Sequence, residues 1–282
     1  MYPLEEIHWV AKDEAIDDLL EARQTVLPAG LEADVWKLST PTNEYVLKIW
    51  CKDSKPDVSY QYAMLQTLHA IGVSVSRAFG WGMDHNQHKV LLTSYDGRAL
   101  AQGDDIQRVS KLLAELHRIP IDRYPVRLRR QPDFVKYFFP RIDEHPDIAE
   151  ALHLLLETAN MKYTTMIHGD YNLGNVLAGP ASYTIIDWTN AQLGDPRYDF
   201  CWASFLIRID NDKVLYQTFI RTYLLEIPTS REDLARFESI ACLRWLLLNR
   251  IGNVPKNVDT DRRIQEFLLQ DSLIPKRLSL FI

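Results

Sequence analysis

The chain has 282 residues and a hydrophobic content of 46%, enough for one large or two modest domains around a sizeable core and unlike a disordered segment. Its formal net charge of −6 lacks the basic footprint that non-specific nucleic-acid binding requires. The longest apolar run, around Leu246–Leu248, is interrupted by Arg244, Asn249 and Arg250, so no stretch approaches a membrane span.

In chain order, residues 13 to 23 read as a short charged helix. From Gln24 to Trp50 the pattern changes to strands: Thr25 to Leu27, Asp34 to Leu38 and Tyr45 to Trp50, with Pro41-Thr42-Asn43 as turn chemistry between the last two. Three antiparallel strands are expected. On the third, alternation places Val46 and Lys48 on one face and Leu47 and Ile49 on the other. Val58 to Ala70 has helical spacing and Gly72 sits where that helix would stop. Val90 to Tyr95 reads as a strand ending in the turn Asp96-Gly97. Beyond it helix dominates, apart from residues 166 to 187, and Ser230 with Asp233 caps a long helix through Arg250. The order predicts an α+β chain of two lobes, 1–95 rich in strands and 96–282 mainly helical, with a hinge near residues 93 to 97.

The start, Met1-Tyr2-Pro3-Leu4-Glu5-Glu6, has neither the basic residues nor the apolar stretch of a signal peptide, so a cytoplasmic location is expected. Cys51, Cys201 and Cys242 are widely spaced and odd in number, which fits neither a zinc pattern nor a disulfide framework. Buried small hydrophobes is the role expected of them.

The segment from Met166 carries the chemistry. It reads Met-Ile-His168-Gly169-Asp170, reaches Asn175 five residues later, turns through Ala178-Gly179-Pro180, and runs along Tyr183 to Ile186 into Asp187-Trp188. A phosphoryl-transfer site works by positioning and charge neutralisation. Asp170 can take or orient the proton of an attacking hydroxyl. The Asn175 amide oxygen and the Asp187 carboxylate are hard ligands suited to magnesium.

His168-Gly169-Asp170 with Asn175, Ile185-Ile186-Asp187-Trp188 and Gly194-Asp195-Pro196-Arg197-Tyr198-Asp199 together resemble the aminoglycoside phosphotransferase and choline kinase-like family of small-molecule kinases. Gly169 and Trp188-Thr189 depart from the Arg and Phe-Gly of protein kinases. The resemblance implies a bilobal protein-kinase-like fold, ATP or GTP with magnesium, and a small-molecule hydroxyl as acceptor. It implies Asp170 as the catalytic base, Asn175 and Asp187 as metal ligands, and Lys48 as the lysine that contacts the nucleotide phosphates. The single-glycine loop around Gly30 to Ala33 would close over the triphosphate. Val35, Val46, Leu177 and Ile186 would line the base, and Ser94 and Tyr95 would supply hinge backbone groups for its edge. His168 is expected to hold the loop rather than act as a base, and Asp199 to cap a helix or accept from loop amides.

One departure stands out. Related kinases place a glutamate opposite the lysine, whereas here the best register places Gln61, with Asp57 one turn earlier. Either Asp57 takes over or Lys48 depends on Asp187 and the phosphates. If Gln61 faces Lys48, a Gln61→Glu change restores a charge pair and would preserve or improve nucleotide affinity. Two rival functions remain: a kinase-fold binding or regulatory protein without turnover, for which Gln61 speaks, and a protein kinase. Residues 208 to 282 hold twelve Lys or Arg against ten Asp or Glu, which predicts a neutral or weakly charged acceptor rather than a polycationic aminoglycoside, unless acids such as Asp210, Asp212 or Glu238 line the cleft.

Overall fold

Tyr45, Leu47 and Ile49 are buried while Val46 and Lys48 between them are half-buried, so the strand Glu44–Trp50 seats one face on a core and leaves the other partly open, as its alternation predicts. The computed structural model describes every residue except 15–16, 28–32, 102–103, 125–127, 181, 253, 277 and 279–282. Its largest sheet has six antiparallel strands, β1 (His8–Lys12), β2 (Arg23–Val26), β3 (Asp34–Ser39), β4 (Glu44–Trp50), β5 (Ala78–Met83) and β6 (Lys89–Ser94), in the order β1-β5-β6-β4-β3-β2. Leu38, Leu47, Ile49, Val90 and Leu92 pack on one another and on Leu4, Ile7 and Leu19. Each such side chain contributes roughly 1.5–3 kcal/mol by leaving water.

The sheet is larger than the sequence pattern implies. The strand β5 reads Ala-Phe-Gly-Trp-Gly-Met, and two glycines weaken a strand signal. A Cβ at Gly82 would collide with the His8 carbonyl, so the glycine that hides β5 in the sequence is what admits β1 beside it. The helix expected over 13 to 23 is replaced, among the described residues, by a single 3-10 turn, Asp17–Glu21, after which β2 pairs with β3. Long-range pairing outweighs the local charge pattern there.

Helix α1 (Val58–Ala70) starts at Asp57, whose carboxylate accepts from the Tyr60 N–H at 3.1 Å, and ends just before Gly72. Five short strands follow, β7 (Arg98–Ala99), β8 (Thr165–Ile167), β9 (Val176–Ala178), β10 (Tyr183–Ile185) and β11 (Gln192–Gly194); β10-β9-β7 form one small sheet and β11 pairs with β8. The remaining helices are α2 (Ile106–His117), α3 (Phe134–Phe138), α4 (Pro146–Ala159), α5 (Pro196–Asp210), α6 (Lys213–Glu226), α7 (Arg231–Ile251) and α8 (Thr260–Gln270).

The architecture is α+β and bilobal. One compact unit comprises Met1–Leu100 with Tyr124–Val126 and Val176–Thr189, and the other the rest of the chain. The first holds both sheets that contain β4 and β9, together with α1. In the second, α7 packs against α5 and α4, and α6 against α2. Phe200 stacks on Tyr223 with ring centroids 3.8 Å apart. Ser230 accepts from the Asp233 N–H at 3.0 Å, the cap expected at the start of α7, while the Asp233 carboxylate pairs with Arg197 at 3.1 Å. Cys201 and Cys242 are buried as expected, whereas Cys51 is exposed just after β4. No helix among the described residues is long and apolar enough to cross a membrane.

Candidate active site

In the second unit the loop after β8 turns through Gly169 at φ +79°, and a Cβ there would lie 2.7 Å from the Asn190 carbonyl oxygen. Glycine is therefore required twice, by its left-handed backbone and by the space. The loop's backbone is held from below by Asp199, whose carboxylate accepts from the N–H groups of His168 at 2.7 Å and Gly169 at 2.8 Å. Asp199 is fully buried in the first turn of α5, and the N-cap of that helix is Asp195, which accepts from the Arg197 N–H at 2.9 Å. Of the two duties considered for Asp199, it performs the second. Burial alone would raise its pKa, but the His117 hydrogen bond and charge, with the charge and backbone N–H of His168, outweigh burial and hold the carboxyl below its usual range. His117 Nε2 lies 3.1 Å from Asp199 and its Nδ1 2.6 Å from the Tyr223 hydroxyl.

His168 is wholly buried and its Nδ1 accepts from the Asp170 N–H at 3.3 Å, a loop-holding arrangement. The Asp170 carbonyl accepts from the amide of Asn175 at 2.9 Å and of Asn172 at 3.0 Å. Asn175 thus closes the turn with its nitrogen, and its amide oxygen is the end suited to a hard cation. The Asp170 side chain stays one-third exposed. Its Oδ1 accepts from Trp202 Nε1 at 2.7 Å and lies 3.8 Å from Arg244.

In the first unit, β4 carries Lys48, and its ammonium lies 3.8 Å from Asp187 Oδ1. Gln61, buried on α1, donates to Thr189 Oγ1 at 3.1 Å, and that hydroxyl donates to Asp187 Oδ1 at 3.0 Å. The departure at the glutamate position is resolved by this chain: Asp57 caps α1, Lys48 pairs with Asp187, and Gln61 braces Asp187 through Thr189. The half-exposed ion pair is worth at most about 1 kcal/mol to stability. Asp187 sits at φ +62°, a left-handed conformation that costs a non-glycine residue of order 1 kcal/mol. Trp188, buried, donates to the Ile185 carbonyl at 3.0 Å and pins the strained turn.

Val35 pairs with Lys48 across β3 and β4, so the two share a face with Val46. Val35, Val46, Leu177 and Ile186 are all half-buried, while Leu47, Val176 and Ile185 beside them are buried. Gly30 lies outside the described residues. The N–H groups of Ser94 and Tyr95 are bonded to the carbonyls of Arg77 at 2.9 Å and Glu44 at 3.1 Å, so what these two residues can offer an adenine edge is their carbonyl oxygens. Asp96 fixes the turn, accepting from Ser76 at 2.6 Å and Ser94 at 2.7 Å.

No three His, Cys, Asp or Glu side chains gather as a metal cluster among the described residues. A carboxylate and an amide oxygen fit magnesium that arrives with phosphate oxygens and water, because that ion is seldom held by an all-protein cage. Sequence reading missed Trp202, left unassigned as core, and Arg244. The available signal for Arg244 was a single cation within the otherwise apolar stretch Ile240–Leu248 of α7.

The model of the phosphotransferase enzyme family matches residues 23–237. No sequence match was found among curated proteins. Solved structures share the fold: choline kinase LicA from Streptococcus pneumoniae, 16% identical over 91% of this chain and 95% of that one, has a TM-score of 0.64. A thermostable mutant of aminoglycoside phosphotransferase APH(4)-Ia, in a ternary complex with ADP and hygromycin B, is 14% identical over 92% and 96% of the two chains, with a TM-score of 0.67. For choline kinase from Cryptosporidium parvum the values are 14%, 95%, 93% and 0.61.

Proposed function

Because the chain belongs to the phosphotransferase enzyme family, we propose that it is a magnesium-dependent O-phosphotransferase, cytoplasmic, that moves the terminal phosphoryl group of ATP or GTP to a hydroxyl of a small molecule. The observation that carries this reading is Asp170: its backbone is tied to His168, Asn172 and Asn175 while its carboxylate stays one-third exposed, the combination a positioned general base needs. Asp170 receives the acceptor's proton as the acceptor oxygen bonds to the terminal phosphorus and the bridge to the nucleoside diphosphate breaks. Asn175 and Asp187 would hold magnesium, which when bound neutralises phosphate charge. Lys48, steered by Asp187, would clamp the phosphates, and Val35, Val46, Leu177 and Ile186 would cover the base.

Gln61 no longer speaks for a silent binding protein once it braces Asp187. The acids that might have served a polycationic acceptor have other duties. Glu238 is buried against Tyr216 at 2.7 Å, Asp210 accepts from Thr260 at 3.0 Å, and Asp212 caps α6 by accepting from Leu215 at 2.8 Å. A neutral or weakly charged acceptor is therefore favoured. ADP or GDP release across a panel of metabolites and antibiotics, with magnesium present, tests the reading. Stimulation by a hydroxyl compound supports it, and efficient use of kanamycin- or gentamicin-type compounds would overturn the acceptor class. Transfer to protein acceptors alone would point instead to a protein kinase.

A further inference from the structure

The structure assigns Trp202 and Arg244 to the positioning of Asp170, a role that rests on Asp170 being the base. Trp202 stands on α5 three residues after Asp199, so one helix grips the catalytic loop twice: Asp199 takes the backbone N–H groups of His168 and Gly169, and the Trp202 indole takes the Asp170 side chain at Oδ1, 2.7 Å away. An indole can only donate, so this bond needs an acceptor oxygen, and it holds Asp170 Oδ1 toward α5.

Arg244 completes the grip from α7. Its Nη1 donates to the Gly169 carbonyl and to the Tyr198 hydroxyl, both at 2.9 Å. Another guanidinium nitrogen lies 3.8 Å from Asp170 Oδ1, and the guanidinium carbon lies 3.9 Å from the centroid of the Trp202 ring. The residue is 6% exposed and its Nε is buried without a hydrogen-bond partner. A buried cation with an orphaned donor is a poor way to stabilise a core, where an apolar side chain of similar size would do at least as well. Such local violations are kept where a site needs them. Here the guanidinium packs against the indole, ties down the carbonyl of the glycine before the base, and lends positive charge to the oxygen that Trp202 holds. Small displacements of a positioned group cost rate out of proportion to their size.

Two readouts test this on the full chain. In protein labelled with nitrogen-15 at the tryptophan indoles, the Trp202 signal is identified by its loss in Trp202→Phe. It should move upfield in Asp170→Ala and shift in Arg244→Met; an indole signal indifferent to Asp170→Ala would overturn the proposal without any assay of activity. In kinetics, run as MgATP hydrolysis with water as acceptor and with any hydroxyl acceptor found, Trp202→Phe should lower kcat about tenfold with nucleotide KM within about twofold. The same change on an Asp170→Asn background should alter kcat by less than about twofold. An equal loss in both backgrounds would make Trp202 merely structural, and so would an unchanged kcat in the single variant. Asp170→Asn with full turnover would remove the base itself, an outcome distinct from failure of the grip.

Discussion

Lys48 pairs with Asp187, its ammonium 3.8 Å from Oδ1, while Gln61 on α1 donates to Thr189. On the proposed reading one residue would answer for two tasks, steering the lysine and offering a metal ligand. We expect Asp187→Ala to abolish the magnesium-dependent part of thermal stabilisation by nucleotide. Lys48→Ala should weaken nucleotide binding with or without magnesium. At nucleotide concentrations a hundred times the dissociation constant the stabilisation is about 2.7 kcal/mol, well within the reach of thermal-shift titration. An unchanged magnesium-dependent shift in Asp187→Ala would contradict the metal assignment.

Gln61→Glu should do harm. The glutamine donates to Thr189, whose single hydroxyl proton goes to Asp187. A glutamate at 61 cannot donate, and two carboxylates would compete for one hydroxyl beside each other's charge. The expected loss is about 1–2 kcal/mol in stability or nucleotide affinity, opposite to the gain expected had residue 61 faced Lys48. A variant as stable and as tight-binding as the parent would mean that the hydrogen-bonded chain does not hold Asp187.

Two buried carboxyls should respond to pH with opposite sign. The Asp199 carboxyl titrates lower in the folded protein than in the unfolded chain, so its stabilisation is present above about pH 4 and is lost as pH falls through the folded value. For Glu238, burial pushes the carboxyl up, against the hydrogen bonds of Tyr216 and Ser204 and the charge of Arg208. The folded state then holds a proton the unfolded chain has released, and stability falls as pH rises from about 4.5 through the folded value. Melting temperatures measured across that range should show a decline that Glu238→Gln abolishes. If the variant follows the parent at every pH, Glu238 does not carry the effect.

Much of the fold around this loop was legible in residues 166 to 199, because a chain that must turn through Gly169, hold Asp170 and leave a strand just before Asp187 needs particular residue types at fixed separations. The face that Lys48 shares with Val46 followed from alternation, whereas the role expected of Lys48 came from the family resemblance. What the sequence concealed depends on contacts between distant segments. Gly80 and Gly82 look like breaks until β1 is seen to lie against them. Gln61 looks like a lost charge until Thr189 is beside it. Trp202 and Arg244 carry no role in the sequence, since one-dimensional patterns register burial and not the direction in which an indole N–H points.

Replacing the Asp170 carboxylate is the most direct trial of the account. Asp170→Asn keeps the size of the side chain, and the loop's backbone bonds do not depend on it. The variant should fold with a melting temperature close to the parent's, bind nucleotide, and lose at least about a hundredfold in turnover, the scale of a general base. Turnover within about threefold of the parent at matched stability would contradict the assignment of Asp170 as that base.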